Sequence, residues 1–440
     1  MINIGFISLG CNKNLVDSEV MMGYCKQYGY NITNNPEQAD VIVVNTCGFI
    51  NDAKEESIDT ILDMAEYKKK RCKFLIVTGC LTERYREELV NEMPEIDAAI
   101  GIGDLNKLPE IIEKLFNHKK KILSFDNKEF IYNSKMPRVI GTPNFYAYVK
   151  IAEGCNNRCS YCSIPLIRGN LRSREIGDII DEVNFLVSNG YKEIVLTAQD
   201  TTKYGLDLYK KRMLTKLLET LNNIDGLKWI RFLYSYPEDI DDELIKIVNK
   251  SDKIVNYFDI PIQHINDKIL KLMNRKTTSQ KIKEVIEKIR NSFSEVVIRT
   301  TVMVGFPTET EEQFDELYEF IKLTKFDRLG VFMYSQEEDT KAAELPQVDL
   351  DIKAKRFEKI VNLQRRISLN NNKKRIGKTY DIIIEGKDKN NFYIARSQFE
   401  APEVDGKIIA FSKEELKQGQ FYTVKIVDAF EYDLVGEVIK

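Results

Sequence analysis

Short apolar runs alternate with helix-length amphipathic segments over the first 125 residues. This alternation is typical of a parallel sheet covered by helices. The predicted strands are INIGFIS (2–8), DVIVVN (40–45) and KFLIVTG (73–79), and the predicted helices are 16–29, 52–70 and 82–91. We therefore expect an N-terminal domain, residues 1–125, built as an open parallel α/β sheet.

The alternation resumes on a larger scale between residues 140 and 372, where six apolar runs are each followed by a segment of helix length. The predicted strands are YAYVKIA (146–152), EIVLTA (193–198), WIRFLY (229–234), VNYFDI (255–260), VVIRTTVMV (296–304) and RLGVFMY (328–334). Six βα units predict a partial (βα)6 barrel, two units short of the usual eight and open on one side. The charged segment 349–374 is predicted to be a helix that closes this domain.

A third pattern begins near residue 374, where short alternating strands are separated by turns. The predicted strands are TYDIIIEG (379–386), NFYIARS (391–397), KIIAF (407–411), FYTVKIVDAF (421–430) and LVGEVI (434–439). Five strands in so short a segment predict a small OB-like β-barrel, residues 374–440. The overall fold class is therefore α/β with a C-terminal β-barrel.

Charge and hydropathy restrict the cellular setting. Lys plus Arg (65) nearly balance Asp plus Glu (68), and the net charge of −3 gives no general attraction to nucleic acid or to an anionic membrane. No apolar run approaches the roughly 18 residues of a membrane span, and the N-terminal sequence has no basic leader followed by an apolar stretch. We expect a cytoplasmic protein with no membrane partner.

Three of the eight cysteines lie within the stretch GCNNRCSYC (154–162). Eight cysteines are too few for a disulfide scaffold in a chain of 440 residues, so clustering indicates metal binding or catalysis. Cys155, Cys159 and Cys162 could hold three irons of an iron–sulfur cubane and leave the fourth iron open. A zinc site is the alternative, but it usually needs a fourth Cys or His ligand, and His118 and His264 are both distant in sequence.

A second set of thiols is spread along the N-terminal domain. Cys11, Cys47 and Cys80 each follow a predicted strand within a few residues, and the carboxyl ends of parallel strands meet at one edge of a sheet. We expect these thiols to converge. The alternative is that they are ordinary small residues at strand ends, as we expect Cys25 and Cys72 to be packing or surface thiols.

The spacing C-x3-C-x2-C after the first barrel strand is that of the radical S-adenosylmethionine superfamily. Together with the N-terminal three-cysteine domain and a C-terminal barrel similar to the TRAM domain, it resembles the methylthiotransferase family over essentially the whole chain. The longer motifs resemble the branch that modifies a ribosomal protein; they are SLGCNKNLVDSE (8–19), TAQDTTKYG (197–205), DIPIQH (259–264), FDRLGVFMYSQEE (326–338) and RSQFEAPEVDG (396–406). One departure is Asn12, where the family often has proline.

The resemblance implies two 4Fe–4S clusters and S-adenosyl-L-methionine as cofactors. One cluster, on Cys155, Cys159 and Cys162, would generate a 5′-deoxyadenosyl radical, and the other would carry the sulfur or methylthio group from the second set of thiols. The implied reaction is methylthiolation of the β-carbon of an aspartate in small-subunit ribosomal protein S-twelve. Candidate S-adenosylmethionine contacts are Tyr161, Gln199, Ser235, Gly305 and Glu309. His264 either faces the site or is a structural histidine.

The expected partners are ribosomal protein S-twelve and an electron donor such as flavodoxin or ferredoxin. Residues 378–440 contain 9 Lys plus Arg and 12 Asp plus Glu, and this negative charge argues against direct nucleic acid binding. We expect the acidic loop FEAPEVDG (399–406) to form a docking surface for a basic protein.

Two other functions remain open from sequence. The same chemistry could act on a tRNA adenosine, although the motifs and the acidic barrel argue against it. The second alternative is a non-enzymatic function, that of an iron–sulfur carrier. A carrier needs neither a six-strand barrel nor a cluster with an open iron, so these features argue against it.

Overall fold

The computed structural model describes residues 1–126 and 129–439. The N-terminal strands are β1 (Asn3–Ser8), β2 (Asn31–Thr33), β3 (Val41–Thr46), β4 (Phe74–Gly79), β5 (Ala98–Ile100) and β6 (Ile122–Ser124). The helices between them are α1 (Asn12–Gln27), α2 (Asn51–Ala65), α3 (Cys80–Glu92) and α4 (Leu108–His118). All six strands are parallel, in the order β2-β1-β3-β4-β5-β6.

Strands β3 and β4 lie at the centre of this sheet and are buried along their whole length. This burial explains their continuous apolar runs. The expected open parallel α/β sheet is confirmed, but α1 begins four residues before the predicted start. The early start is fixed by polar contacts that hydrophobic periodicity does not reveal, because the Asn14 amide donates to the carbonyls of Leu9 (3.1 Å) and Thr46 (2.8 Å).

The central region contains all six predicted strands and two short additional ones. They are β7 (Tyr146–Lys150), β8 (Ala152–Glu153), β9 (Arg172–Ser173), β10 (Glu193–Thr197), β11 (Trp229–Phe232), β12 (Tyr257–Asp259), β13 (Val297–Val304) and β14 (Arg328–Met333). The helices are α5 (Ile164–Ile167), α6 (Ile176–Ser188), α7 (Leu206–Tyr209), α8 (Leu214–Asn222), α9 (Asp242–Lys250), α10 (Asp267–Leu272), α11 (Ser279–Ser292), α12 (Glu311–Thr324) and α13 (Leu350–Lys373).

The six long strands form a curved parallel wall rather than a closed barrel. Strands β7, β10 and β11 form one sheet and β12, β13 and β14 another, and a backbone bridge between Ile230 and Ile254 joins them. Across the described residues no pairing connects β14 back to β7. The expected partial (βα)6 barrel is therefore confirmed.

The C-terminal strands are β15 (Thr379–Lys387), β16 (Tyr393–Ser397), β17 (Ile408–Phe411), β18 (Phe421–Ala429) and β19 (Leu434–Val438). They close into a barrel in the order β15-β16-β17-β19-β18, which confirms the predicted small β-barrel. Lys440, the last residue of the expected domain, lies outside the described residues.

Helix α13 connects the two barrels. It is capped by Asp349, whose carboxylate accepts from Asp351 N (2.8 Å), and the Asn372 amide near its end donates to Phe430 O in the C-terminal barrel (3.0 Å). Although α13 has 24 residues, neither it nor any other helix in residues 1–126 and 129–439 is both long and apolar enough to cross a bilayer.

Residues 398–405, here called the barrel plug, enter the central barrel near the amino-terminal ends of its strands. The Glu403 carboxylate accepts hydrogen bonds from the hydroxyls of Tyr146 (2.8 Å) and Tyr148 (3.1 Å). The Asp405 carboxylate accepts one from the hydroxyl of Tyr257 (2.7 Å). The C-terminal barrel is thus fixed to the central one by hydrogen bonds between side chains of the two domains.

The expectation that this acidic loop is a docking surface is contradicted at Phe399 and Glu400, whereas Glu403 and Val404 are exposed. Phe399 and Glu400 are buried, and Glu400 forms ion pairs with Arg375 and Arg328. The carboxylates of Glu400 and Asp405 are buried and paired inside the molecule, because burying a carboxylate without such partners would be costly.

Candidate active site

The cysteine loop of the central barrel lies between β8 and α5, just past the first barrel strand. Gly154 opens the loop with φ +76°, and a Cβ there would lie 2.1 Å from the Asn170 carbonyl oxygen. A side chain at this position is therefore excluded by both space and conformation. The turn that follows holds Cys155 and Cys159 buried and Cys162 partly exposed.

Aromatic and cationic side chains surround this loop. The Tyr236 hydroxyl lies 3.7 Å from Cys159 Sγ, and the Arg275 guanidinium lies over the Tyr236 ring at 4.2 Å. Tyr161 packs edge-on against Phe306, with 6.5 Å between ring centroids. Arg275 is buried, and its Nε and Nη1 have no hydrogen-bond partner among the described residues. Such a cation is suited to an anionic group of a ligand.

The second set of thiols converges at the carboxyl edge of the N-terminal sheet. Cys11 caps α1, Cys47 follows β3 and Cys80 opens α3. A Cβ on Gly10, whose φ is +80°, would lie 2.9 Å from Cys47 Sγ. Each of the three thiols is close enough to another to affect its pKa. The topology of adjacent parallel strands therefore brings together residues that are far apart in sequence.

Two cations set the electrostatics of these thiols. Burial acts to raise the pKa of the Cys11 thiol, but Lys13 and Arg168 lower it below its ordinary value. Burial raises the pKa of Cys80 to about 12, and Arg168 Nη2 lies 3.5 Å from its sulfur. The positive charges of Lys13 and Arg168 favour the thiolate form of these cysteines and would also stabilise an anionic group bound to the thiolates.

Arg168 joins the two cysteine sites. It follows Cys162 by six residues in the central domain, and its guanidinium crosses to the N-terminal domain to pair with Asp17 at 3.0 Å. Its other arm pairs with Glu153 at 2.9 Å, beside the cysteine loop. Both sites therefore open onto one interface between the N-terminal domain and the barrel.

The segment after β11 makes a second connection across the same interface. Lys13 Nζ lies 3.8 Å above the Tyr234 ring, and Tyr236, two residues later, contacts Cys159. Asn12, the departure from the family pattern, accepts a hydrogen bond from the Thr197 hydroxyl at 3.0 Å. The residue after Cys11 is therefore anchored to the barrel.

The cysteine sites are not arranged as sites for a single metal ion. In the part of the chain that the structure describes, no group of three or more His, Cys, Asp or Glu side chains is arranged to hold one metal ion. An iron–sulfur cubane makes a different demand, since each thiolate binds its own iron.

Three family models match the chain in the order of its three regions. They are the uncharacterized protein family UPF0004 over residues 3–101, the radical SAM superfamily over residues 149–321 and the TRAM domain over residues 376–439.

Curated relatives align with the chain from end to end. A ribosomal protein uS12 methylthiotransferase RimO from Caldicellulosiruptor saccharolyticus is 69% identical over 440 residues, which is 100% of both chains. One from Clostridioides difficile is 51% identical over 441 residues, covering 100% of this chain and 99% of its own. The chain belongs to the RimO family of ribosomal protein uS12 methylthiotransferases.

Solved structures share the fold of this RimO-family chain at low sequence identity. The radical S-adenosylmethionine methyltransferase TsrM from Kitasatospora setae has a TM-score of 0.58 and 12% identity, covering 78% of this chain and 74% of its own. The cobalamin-dependent S-adenosylmethionine radical enzyme OxsB has a TM-score of 0.52 and 11% identity, covering 83% and 56%. These likenesses support the architecture.

Two of the predicted cofactor contacts in the RimO-family chain have structural partners. Gly305 has φ +66°, and a Cβ there would lie 2.3 Å from Lys353 Cγ. The Glu309 carboxylate accepts from Phe306 N (3.0 Å) and pairs with Arg356 (3.2 Å). Burial raises the pKa of Glu309 to about 7. Both residues therefore shape the turn after β13.

Gln199 and Ser235 offer unused hydrogen-bonding atoms. The Gln199 amide donates to Glu153 at 2.6 Å, and its carbonyl oxygen is buried without a partner among the described residues, as is Ser235 Oγ. His264 is buried, its Nδ1 accepts from Asn266 N at 2.9 Å, and burial lowers its pKa to about 3. Its neutral ring makes this one internal hydrogen bond, and its Nε2 is buried without a partner among the described residues, as the Gln199 and Ser235 oxygens are.

Sequence analysis missed five residues of this site. They are Lys13, Arg168, Tyr234, Tyr236 and Arg275. Four of them carried a usable signal, because each is a cation or an aromatic residue within six positions of a candidate ligand. Arg275 had none, since only the folded chain brings it to the cysteine loop.

Proposed function

We propose that the chain is a radical S-adenosylmethionine methylthiotransferase that adds a methylthio group to the β-carbon of an aspartate in ribosomal protein uS12. The observation that carries this proposal is the meeting of two three-cysteine sites at one interface, where Arg168 contacts Cys80 of one site and follows the loop of the other. End-to-end identity with RimO relatives supports the substrate.

We assign Cys155, Cys159 and Cys162 to one 4Fe–4S cluster, and Cys11, Cys47 and Cys80 to a second. The fit is supported by glycines with positive φ behind both sites and by the cations beside the N-terminal thiols, which offset the charge of three thiolates. When bound, the barrel cluster would supply the electron that cleaves S-adenosylmethionine to a 5′-deoxyadenosyl radical, and the second cluster would carry the sulfur or methylthio group to be inserted.

The chain's own residues bind and orient S-adenosylmethionine. Gln199 and Ser235 each offer a buried, unpartnered oxygen that a ligand would satisfy. Tyr161 provides an aromatic wall beside Cys159, and Arg275 provides free donors for a carboxylate. Gly305 contributes backbone at the end of β13, and Glu309 holds that turn by its bond to Phe306 N.

An aspartate β-C–H is unactivated, so no acid–base side chain removes its hydrogen at neutral pH. The protein instead orients the reactants and excludes water. We propose that three domains, 1–125, 140–372 and 374–440, divide this task, and that flavodoxin or ferredoxin delivers the electron.

Charge does not support RNA as the substrate. Glu400, Asp405 and Arg396 have buried side chains that form ion pairs, which leaves 10 acidic and 8 basic side chains in residues 378–440. This surface does not attract RNA phosphates, and it is also too weakly acidic to be the main attraction for a basic protein. We therefore base the choice of uS12 on the family rather than on the barrel's charge.

The test is the intact mass of uS12 from cells with and without this protein, with tRNA nucleosides measured from the same cultures. We expect uS12 from cells without this protein to be lighter by one methylthio group less one hydrogen, with the tRNA nucleosides unchanged. An unchanged uS12 with a missing methylthio nucleoside would favour the tRNA alternative. Reduced, reconstituted protein that fails to cleave S-adenosylmethionine would favour the carrier alternative.

A further inference from the structure

Lys13 is a buried ammonium without a carboxylate partner. It lies in the first turn of α1, two residues after Cys11, and its side chain is 7% exposed. Among the described residues none of the ion pairs includes Lys13. Asp17, the usual i+4 partner on the same helix, is already paired with Lys150 and Arg168.

The ammonium lies 3.8 Å above the face of the Tyr234 ring, and it interacts electrostatically with the thiol of Cys11. A cation–π contact compensates only part of the cost of removing an ammonium from water, and buried charges are normally paired with an opposite charge. Because the described residues place no carboxylate beside it and the Cys11 thiolate is its anionic neighbour, Lys13 is suited to bind a further anion that enters this interface.

Tyr234 is fixed in place for this contact. Its φ is +62°, a conformation that is costly for a tyrosine. The backbone is held there because Tyr234 N donates to Asp259 Oδ2 (3.0 Å) and its carbonyl accepts from Thr201 N (3.1 Å). Since Tyr236 contacts Cys159, the ammonium lies on the interface that the two cysteine sites share.

We propose that Lys13 binds the side-chain carboxylate of the substrate aspartate and thereby selects an acidic residue for modification. This inference rests on the proposed function. The carboxylate is one bond from the β-carbon, so holding it beside Cys11 brings the reacting carbon to the sulfur-donating site. Tyr234 positions the ammonium of Lys13. The substrate carboxylate compensates for the hydration that this ammonium loses on burial.

The test is a double-mutant cycle between enzyme and substrate. Wild type and Lys13→Gln, both with reconstituted clusters, are assayed on uS12 carrying the target aspartate and on uS12 with that aspartate replaced by asparagine. We expect Lys13→Gln to lower kcat/KM on the aspartate substrate by about 100-fold and to change it by less than about threefold on the asparagine substrate. The affinity of the loaded enzyme for the two uS12 forms should follow the same pattern.

Lys26→Gln, an exposed lysine on the same helix, is the matched control and should change neither value. Iron and acid-labile sulfide content and the EPR spectrum of Lys13→Gln should equal those of wild type. An equal loss on both substrates, or an altered N-terminal cluster signal, would overturn the proposal and make Lys13 a residue that serves the cluster or its sulfur ligand. No loss on the aspartate substrate would also overturn it, whereas wild-type enzyme that leaves uS12 unmodified would instead refute the proposed function.

Discussion

The two cysteine sites lie at equivalent positions in their domains, but their cysteines are distributed differently along the sequence. The barrel thiols come from one turn of the chain, whereas Cys11, Cys47 and Cys80 come from the ends of three strands. Both sets lie at the carboxyl ends of parallel strands, where backbone groups and loops are free to hold a ligand. A local motif can be found from spacing alone, but a dispersed one is found only after the strands are recognised.

Their surroundings also differ. Tyr161, Tyr236 and Phe306 line the barrel site, while Lys13 and Arg168 line the N-terminal site. Aromatic walls suit a large organic cofactor and cations suit an anionic sulfur-bearing group, which supports the proposed division of tasks between the two sites.

The largest effect is expected from Cys159→Ala, which should abolish both S-adenosylmethionine cleavage and methylthiolation. The loss should exceed about 1000-fold in 5′-deoxyadenosine formation, because no other group at that turn can replace the thiolate. Cys72→Ala, which removes a buried thiol apart from both sites, should keep most of the activity. If the Cys159→Ala variant still cleaved S-adenosylmethionine, the assignment of a 4Fe–4S cluster to this loop would be wrong.

Cys47→Ala should separate the two activities. We expect 5′-deoxyadenosine formation within about threefold of wild type and loss of methylthiolated uS12, because the thiol belongs to the other site. Both products can be measured in one reaction by mass spectrometry. An equal loss of the two would show that the sites do not divide the chemistry.

Substitution of two glycines tests the two cluster sites separately while leaving all six cysteines in place. Gly10→Ala brings a Cβ to 2.9 Å from Cys47 Sγ, and Gly154→Ala brings one to 2.1 Å from the Asn170 carbonyl. Each variant should lose the EPR signal of its own cluster and keep the other. Gly177→Ala, which meets no atom within 4 Å, should keep both signals, and a variant that loses both would indicate general misfolding.

The smallest effect is expected from Arg168→Lys, which retains the charge but loses the forked contacts to Asp17 and Glu153. We expect the free energy of unfolding to fall by about 1–3 kcal/mol and the midpoint potential of the N-terminal cluster to shift. Thermal unfolding and a potentiometric EPR titration measure the two effects. Arg212→Lys at the surface should change neither, and a shift confined to the barrel cluster would contradict the assignment.

Most of the fold could be predicted because hydrophobic periodicity reports burial directly. All six long barrel strands and the five C-terminal strands follow their apolar runs. The early start of α1 and the internal use of Glu403 could not be predicted, since both depend on polar contacts with distant residues. The same reason hid Arg275, whose contact with the Tyr236 ring joins positions 39 residues apart.

The barrel plug has a consequence for how such a chain can change over evolutionary time. Tyr146, Tyr148 and Tyr257 belong to the catalytic barrel, yet their hydroxyls are satisfied by Glu403 and Asp405 from the C-terminal barrel. Exchange of the C-terminal barrel for an unrelated module would leave these phenols buried and unpaired. A replacement module would therefore have to supply new hydrogen-bond acceptors for these three hydroxyls.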